Sequence, residues 1–256
     1  MSRLEVELIP AFSDNYIYLL RDGATGTVAV VDPGDATPVI ARLEEGGLPL
    51  DIILNTHHHA DHIGGNAELV KRYGARLIGP AADAHRIPNM DQAVSEGDTV
   101  SVGDATAAVI ETPGHTSGHI TFWFGDDDAL FCGDTLFSMG CGRLFEGTPA
   151  QMWHSLSKLR ALPDAAKVYC GHEYTLSNAR FAAGVEPDNA EVADRLRHVE
   201  ATRAAGKPTI PADLAAEKQT NPFLRADDPR LAAALNMTDA DPVDVFAEVR
   251  SRKDKA

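Results

Sequence analysis

The stretch DIILNTHHHADHIGG, residues 51–65, carries a fold signal and a chemical signal together. Ile52, Ile53 and Leu54 form a short apolar run bounded by polar residues, the pattern of a buried strand. Metal-binding side chains follow at once: His57, His59, Asp61 and His62. Residues i and i+2 of an extended segment project to one side, so His57 and His59 can grip one metal. Asp61 and His62 lie past the turn and can face a second position. Gly64 and Gly65 permit a tight turn and open a helix behind it. His58 alternates out of phase with its neighbours, which places it behind the ligands or in solvent. The blander readings are a histidine-rich surface loop or one closed structural zinc site. A loop at a strand end is where α/β folds put function, which favours a working site.

Three further islands repeat the pattern of strand, glycine, ligand-type side chain. TPGHTSGH (residues 112–119) holds His115 in a Pro-Gly turn, FCGDT (131–135) presents Asp134, and VYCGHE (168–173) presents His172. Seven candidate ligands, five imidazoles and two carboxylates, are too many for one tetrahedral zinc. They suit two metals ~3.5–4 Å apart sharing a carboxylate. Imidazole and carboxylate donors without thiolate suit Zn, with Fe or Mn as alternatives. His119 reads as a hydrogen-bonding structural residue. Asp32 either orients a ligand imidazole or initiates the turn at Pro33-Gly34.

Around this centre, 256 residues suit one large domain or a domain with an appendage. Charge bounds the partners. A formal net charge of −15 argues against nucleic acid, whose phosphates demand a basic face. No apolar run approaches the ~20 residues of a membrane span. The opening MSRLEVELIP alternates like a strand and lacks an apolar signal core, so no export signal is expected. Cys132, Cys141 and Cys170 are sparse and odd in number, which fits a reducing compartment. A cytoplasmic protein is the expectation.

Alternating strands and helices are expected through the first two thirds. Strands are read at Val6–Ile9, Tyr16–Arg21, Thr27–Asp32, Asp51–Thr56, Leu77–Gly79, Thr99–Val102, Thr106–Thr112, Ile120–Phe124, Ala129–Cys132 and Lys167–Cys170. Helices are read at Asp35–Glu45, Gly65–Tyr73 and Pro149–Leu162. Beyond Tyr174 the apolar spacing turns helical: residues 176–206 with a break at Pro187, then Leu231–Leu235 and Val243–Val249. A domain boundary is therefore expected near residue 173.

DNYIYLL (14–20), VDPG (31–34), THHHADHIGGN, TPGHTSGH, FCGDTLF, GCGRLFEGT (140–148), VYCGHEYTLSNARFA (168–182), VEPDN (185–189), QTNPFLR (219–225) and a basic tail span nearly the whole chain. In these motifs the chain resembles the metallo-β-lactamase superfamily. Its C-terminal motifs resemble the glyoxalase II (hydroxyacylglutathione hydrolase) family in particular. The resemblance implies an α+β fold, a four-layer αββα sandwich with a C-terminal α-helical domain. Residues 1–173 would form the catalytic domain and residues 174–256 the helical substrate-binding domain. It implies that His57, His59, His115 and Asp134 hold metal 1, and that Asp61, His62, His172 and Asp134 hold metal 2. Asp134 and Asp61 would be the catalytic residues, as metal ligands activating a bridging hydroxide. That hydroxide would attack the thioester carbonyl of S-(2-hydroxyacyl)glutathione, S-D-lactoylglutathione above all, releasing glutathione and D-lactate in methylglyoxal detoxification.

The same resemblance points to Arg143, Tyr174, Arg250 and Lys253 as substrate contacts. Arg143 stands where several family members carry Lys, and Phe145 where they carry Tyr, which removes a side-chain donor. Composition alone reads Arg250–Lys255 as a solvated, frayed tail. A mononuclear-iron persulfide dioxygenase and a lactonase of the same superfamily are the competing readings; such dioxygenases generally lack the long helical C-terminal region. The expected partner is a small glutathione thioester, with no nucleic acid, no membrane and a monomeric chain.

Overall fold

The computed structural model describes residues 4–256. They form two compact units. The first runs to Thr112 and adds Ser117–Gly133; the second joins Pro113–Thr116 to Asp134–Ala256.

In the first unit, β1 (Leu4–Ala11) and β2 (Asn15–Asp22) make an antiparallel hairpin, with Leu4 opposite Asp22 and Ala11 opposite Asn15. β3 (Val28–Val31) pairs antiparallel with β2. α1 (Ala36–Gly46) then crosses over. Asp35 caps it by accepting from the Thr37 N–H, Val39 and Leu43 face inward, and Gly47 closes it in the left-handed region. β4 (Ile52–Leu54) lies parallel to β3. The short α2 (Ala60–Ile63) and α3 (Asn66–Tyr73) lead to parallel β5 (Arg76–Pro80) and β6 (Gln92–Val94). All the residues of β3 and β4 are buried, as expected of parallel strands covered on both faces. Ile17, Leu19, Val30, Val39, Leu43, Ile53, Leu69 and Leu77 make one continuous core beneath them.

β7 (Thr99–Val102), β8 (Ala105–Glu111), β9 (Ile120–Phe124) and β10 (Ala129–Gly133) follow as successive antiparallel neighbours. The Ile120 N–H donates to the Thr56 carbonyl, which ties the start of β9 to the loop leaving β4. His57 therefore begins at the carboxyl end of a buried parallel strand, the place the sequence pattern indicated.

The second unit opens with a tight hairpin of β11 (Leu136–Phe137) and β12 (Gly140–Cys141). α4 (Pro149–Arg160) starts with a capping box between Thr148 and Gln151. β13 (Lys167–Cys170), α5 (Thr175–Val185) and α6 (Ala190–Ala204) come next. β14 (Ala212–Asp213) pairs antiparallel with β13, and α7 (Leu214–Thr220), α8 (Pro229–Ala234) and α9 (Pro242–Asp254) complete the chain.

Helix α9 corrects the reading of the tail as frayed. It continues through Asp254 because Val245, Phe246 and Val249 bury one face and Asp241 caps its start. β11, β12, β14, α2, β6 and α7 were not expected from the sequence: the strands and α2 are too short to show a period, and α7 turns Glu217 and Thr220 inward where apolar residues would have marked a face.

Candidate metal centre

Each unit carries its own set of ligand-type side chains. In the first, Asp32 is the organising group. It sits past β3 with φ at 50° and is 4% exposed. Its carboxylate accepts from the Thr56 N–H (2.8 Å), the Thr56 hydroxyl (2.7 Å) and His62 Nδ1 (3.1 Å). A carboxylate only accepts, so His62 carries its proton on Nδ1 and keeps the Nε2 lone pair. The Thr56 hydroxyl gives its hydrogen to Asp32, so it accepts from His57 Nδ1 at 3.0 Å. His57 is thereby set in the same tautomer, with its Nε2 lone pair available.

The donors converge. His57 Nε2 lies 3.1 Å from His59 Nδ1, and His62 Nε2 lies 3.5 Å from Asp61 Oδ2. Two nitrogens each about 2.0–2.1 Å from a tetrahedral zinc would stand about 3.3–3.4 Å apart, so these pairs have the separations of ligand pairs. Asn15 Nδ2 donates to Asp61 Oδ2 at 3.0 Å and steadies that carboxylate. A Cβ at Gly34 would overlap the Asp61 main-chain carbonyl, so glycine is required where the two loops touch. Asp32, His57 and His62 also bring ligand-type atoms within 4.8 Å of one another. Because three donors already use the Asp32 oxygens, its role there is to orient.

His58 is drawn aside, its Nδ1 donating to Asp83 at 3.0 Å while Arg86 reaches its Nε2 at 3.1 Å. His119 bonds Thr112 Oγ1 at 3.0 Å and stacks on His57 with ring centroids 4.8 Å apart. Both lie outside the ligand pairs. His85, His154 and His198 are exposed.

In the second unit, Asp134 Oδ2 lies between two imidazoles, 3.4 Å from His115 Nε2 and 3.3 Å from His172 Nε2. All three residues are buried. His115 Nδ1 donates to the Arg143 carbonyl at 2.9 Å, which fixes its tautomer with the Nε2 lone pair toward Asp134. Two loops frame these groups. The Phe145 N–H donates to the His115 carbonyl, and the Phe145 ring stands 5.2 Å from the imidazole. Tyr174 lies flat on His172, planes 3° apart at 4.8 Å, and is 37% exposed. A Cβ at Gly142 would overlap the Asp134 carbonyl, repeating the arrangement at Gly34.

The candidate substrate contacts divide. Arg143 presents an exposed side chain. Arg250 is buried: Nη1 donates to the Cys141 carbonyl at 3.0 Å, Nη2 pairs with Asp254 at 2.9 Å, and the guanidinium lies over the Phe223 ring. Lys253 is half-buried, its Nζ donating to the Ser177 carbonyl at 3.2 Å above the Phe181 ring. Burial, with added repulsion from Arg250 and Arg143, pushes the Lys253 ammonium below its ordinary range. Burial pushes the Cys141 thiol up to about 11 and the Cys170 thiol up to about 12. Neither is an activated nucleophile. Asn15, Glu217 and Asn221 were missed by sequence reading, since each acts across 46 or more residues.

Comparison with known proteins places this geometry. Residues 11–172 match the family model described as metallo-beta-lactamase superfamily, and residues 173–256 match the hydroxyacylglutathione hydrolase C-terminus. A hydroxyacylglutathione hydrolase of Rhodospirillum rubrum is 56% identical over 99% of both chains. One of Methylococcus capsulatus is 52% identical over 98% of both. Among solved structures, ETHE1 from Myxococcus xanthus is 28% identical with a TM-score of 0.67, over 97% of this chain and 98% of that one. The fold is α+β, of metallo-β-lactamase type, with a helical C-terminal region. The chain belongs to the hydroxyacylglutathione hydrolase family. Among the described residues, no helix is long and apolar enough to cross a membrane.

Proposed function

We propose that the protein hydrolyses S-(2-hydroxyacyl)glutathione, S-D-lactoylglutathione above all, to glutathione and a 2-hydroxy acid, using two divalent metal ions. The observation that carries this reading is Asp134 Oδ2 set between His115 Nε2 and His172 Nε2, the arrangement of a carboxylate shared by two metals. His57, His59, His115 and Asp134 would hold one ion; Asp61, His62, His172 and Asp134 would hold the other. The donor chemistry fits Zn, with Fe or Mn as alternatives. When bound, such ions supply a water that deprotonates near neutral pH and positive charge for a developing oxyanion.

The chain's own groups do the rest. Asp32, Thr56 and the Arg143 carbonyl hold three imidazoles in the tautomer that keeps Nε2 for a metal. Arg143 and Lys253 offer cations to the carboxylates of glutathione, and the crowding of positive charge around Lys253 is relieved by an anion. The Tyr174 ring gives the substrate an apolar surface beside His172. Arg250 supports this segment from beneath by holding the Cys141 carbonyl. A glutathione thiol ionises near 8.5, so the leaving group departs without a dedicated acid. We assign residues 1–173 as the catalytic domain and 174–256 as the helical substrate-binding domain of a monomeric, cytoplasmic enzyme.

The test combines metal analysis with hydrolysis of S-D-lactoylglutathione. Two metals per chain and glutathione release at neutral pH are expected. An inactive protein carrying both metals overturns the reading, as does one iron per chain with oxygen uptake.

A further inference from the structure

The hairpin of β11 and β12 lies between Asp134 and Arg143, and side chains from distant helices grip it at residue after residue. Glu217, on α7, is fully buried and accepts from the Ser138 hydroxyl (2.8 Å) and the Met139 N–H (2.7 Å). Asn221 Nδ2 donates to the Phe137 carbonyl (3.2 Å), the Gly140 carbonyl (3.0 Å) and Glu217 (3.1 Å). Asn178, on α5, donates to the Ser138 carbonyl at 3.1 Å. Arg250, on α9, holds the Cys141 carbonyl. Met139, at the turn, adopts φ of 60°, a left-handed conformation that costs a non-glycine residue free energy and persists only when its surroundings dictate it.

The grip reaches the ligands through short links. The Gly142 N–H donates to the Thr135 carbonyl at 3.2 Å, and Gly142 abuts the Asp134 carbonyl. One residue on, the Arg143 carbonyl accepts from His115 Nδ1. Moving the hairpin therefore moves both the main chain behind Asp134 and the acceptor that orients His115. Arg195 Nη2 also meets Glu217, at 3.3 Å. Donors thus face both carboxylate oxygens and oppose burial, which pushes the Glu217 carboxyl above the usual carboxylate range.

We propose that Glu217 is a positioning residue of the metal centre, acting through the Leu136–Cys141 hairpin to set Asp134 and His115. This rests on the hydrolase reading only for what the centre does. The helical region then has two duties, since the elements that follow the ligands in sequence also hold them in place.

Three readouts on the full-length protein test this: zinc affinity by competition with a chelator, the d–d spectrum of the Co(II)-loaded protein, and kcat and KM for S-D-lactoylglutathione. Partners of metal ligands are worth roughly 10–100-fold in affinity or activity. Glu217→Ala is expected to weaken zinc binding by about that factor, shift the Co(II) bands and lower kcat more than it raises KM. Glu217→Gln keeps the volume and one acceptor oxygen, and is expected to show the same changes at smaller size. A purely structural role would lower the unfolding temperature and leave zinc affinity and the Co(II) spectrum untouched well below it. That result in Glu217→Ala overturns the proposal. If Glu217→Ala does not fold, wild-type zinc affinity and Co(II) bands in Glu217→Gln overturn it equally. Wild-type protein that binds metal but leaves lactoylglutathione intact would overturn the hydrolase reading, and the metal readouts would still judge Glu217.

Discussion

The two sets of ligand-type side chains, one in each unit, are built by opposite means. In the first unit the ligand-type side chains are contiguous, His57 to His62, and one carboxylate, Asp32, governs both the backbone at Thr56 and the tautomers of two imidazoles. In the second unit the ligand-type side chains come from three separate loops; a main-chain carbonyl orients His115, and helices hold the hairpin that follows Asp134. Contiguous ligands are fixed cheaply, by the register of one strand end. Scattered ligands depend on long-range grips, so their sensitivity to substitution is spread over residues far from them.

The largest effect should follow Asp134→Ala. Removing the carboxylate between His115 and His172 is expected to lose metal and activity together, by more than an orienting partner's roughly 10–100-fold. Elemental analysis beside the hydrolysis assay checks this, and retained activity would break the shared-carboxylate assignment. Asp32→Ala comes next, at about 10–100-fold in metal affinity, because the orientation of the first half is concentrated in one residue. If chelator competition showed a smaller loss there than for Glu217→Ala, the contrast between concentrated and distributed support would fail.

Gly34→Ala and Gly142→Ala sharpen the comparison by striking the same feature in each half. Each added methyl meets a ligand aspartate's carbonyl, so each should cost about 1–3 kcal/mol by overpacking, read as a lower urea midpoint. Lys253→Ala should raise KM roughly tenfold and leave kcat unchanged, the mark of uniform binding lost with one charged hydrogen bond. The smallest effect concerns the thiols of the second unit. Cys141 and Cys170, pushed up to about 11 and about 12, are uncharged at pH 8. The reactive thiolate gains population only as pH nears those values, so a disulfide reagent at pH 8 should label neither until the protein is denatured.

How legible each half was follows from the same difference. DIILNT announced β4 by its apolar run, and the histidine spacing announced the approach of His57 to His59, because local geometry alone relates i to i+2. α1, α3 and α4 were readable through Gly46-Gly47, Gly74, and Pro149 with Pro163 just beyond the helix end. The hairpin at Leu136–Cys141 left no trace, since two-residue strands have no period. Glu217 and Asn221 lie about 80 residues from what they hold, and nothing in their own neighbourhood marks them. Asp32 was half legible: a turn-forming aspartate and an orienting one look alike until Thr56 and His62 fold onto it. Arg250 shows the limit from the other side, since composition suggested a loose end and Val245, Phe246 and Val249 bury it.

Arg143 faces two ways: its side chain is exposed, and its carbonyl accepts from His115. Alanine scanning deletes the first and leaves the second untouched, so it would report this residue as a substrate contact and nothing more. The peptide group's share is open to backbone chemistry alone, such as an ester in place of the amide that follows Arg143, which weakens the acceptor while sparing the guanidinium. An anion drawn to the guanidinium would therefore pull on the residue whose carbonyl steers the His115 imidazole.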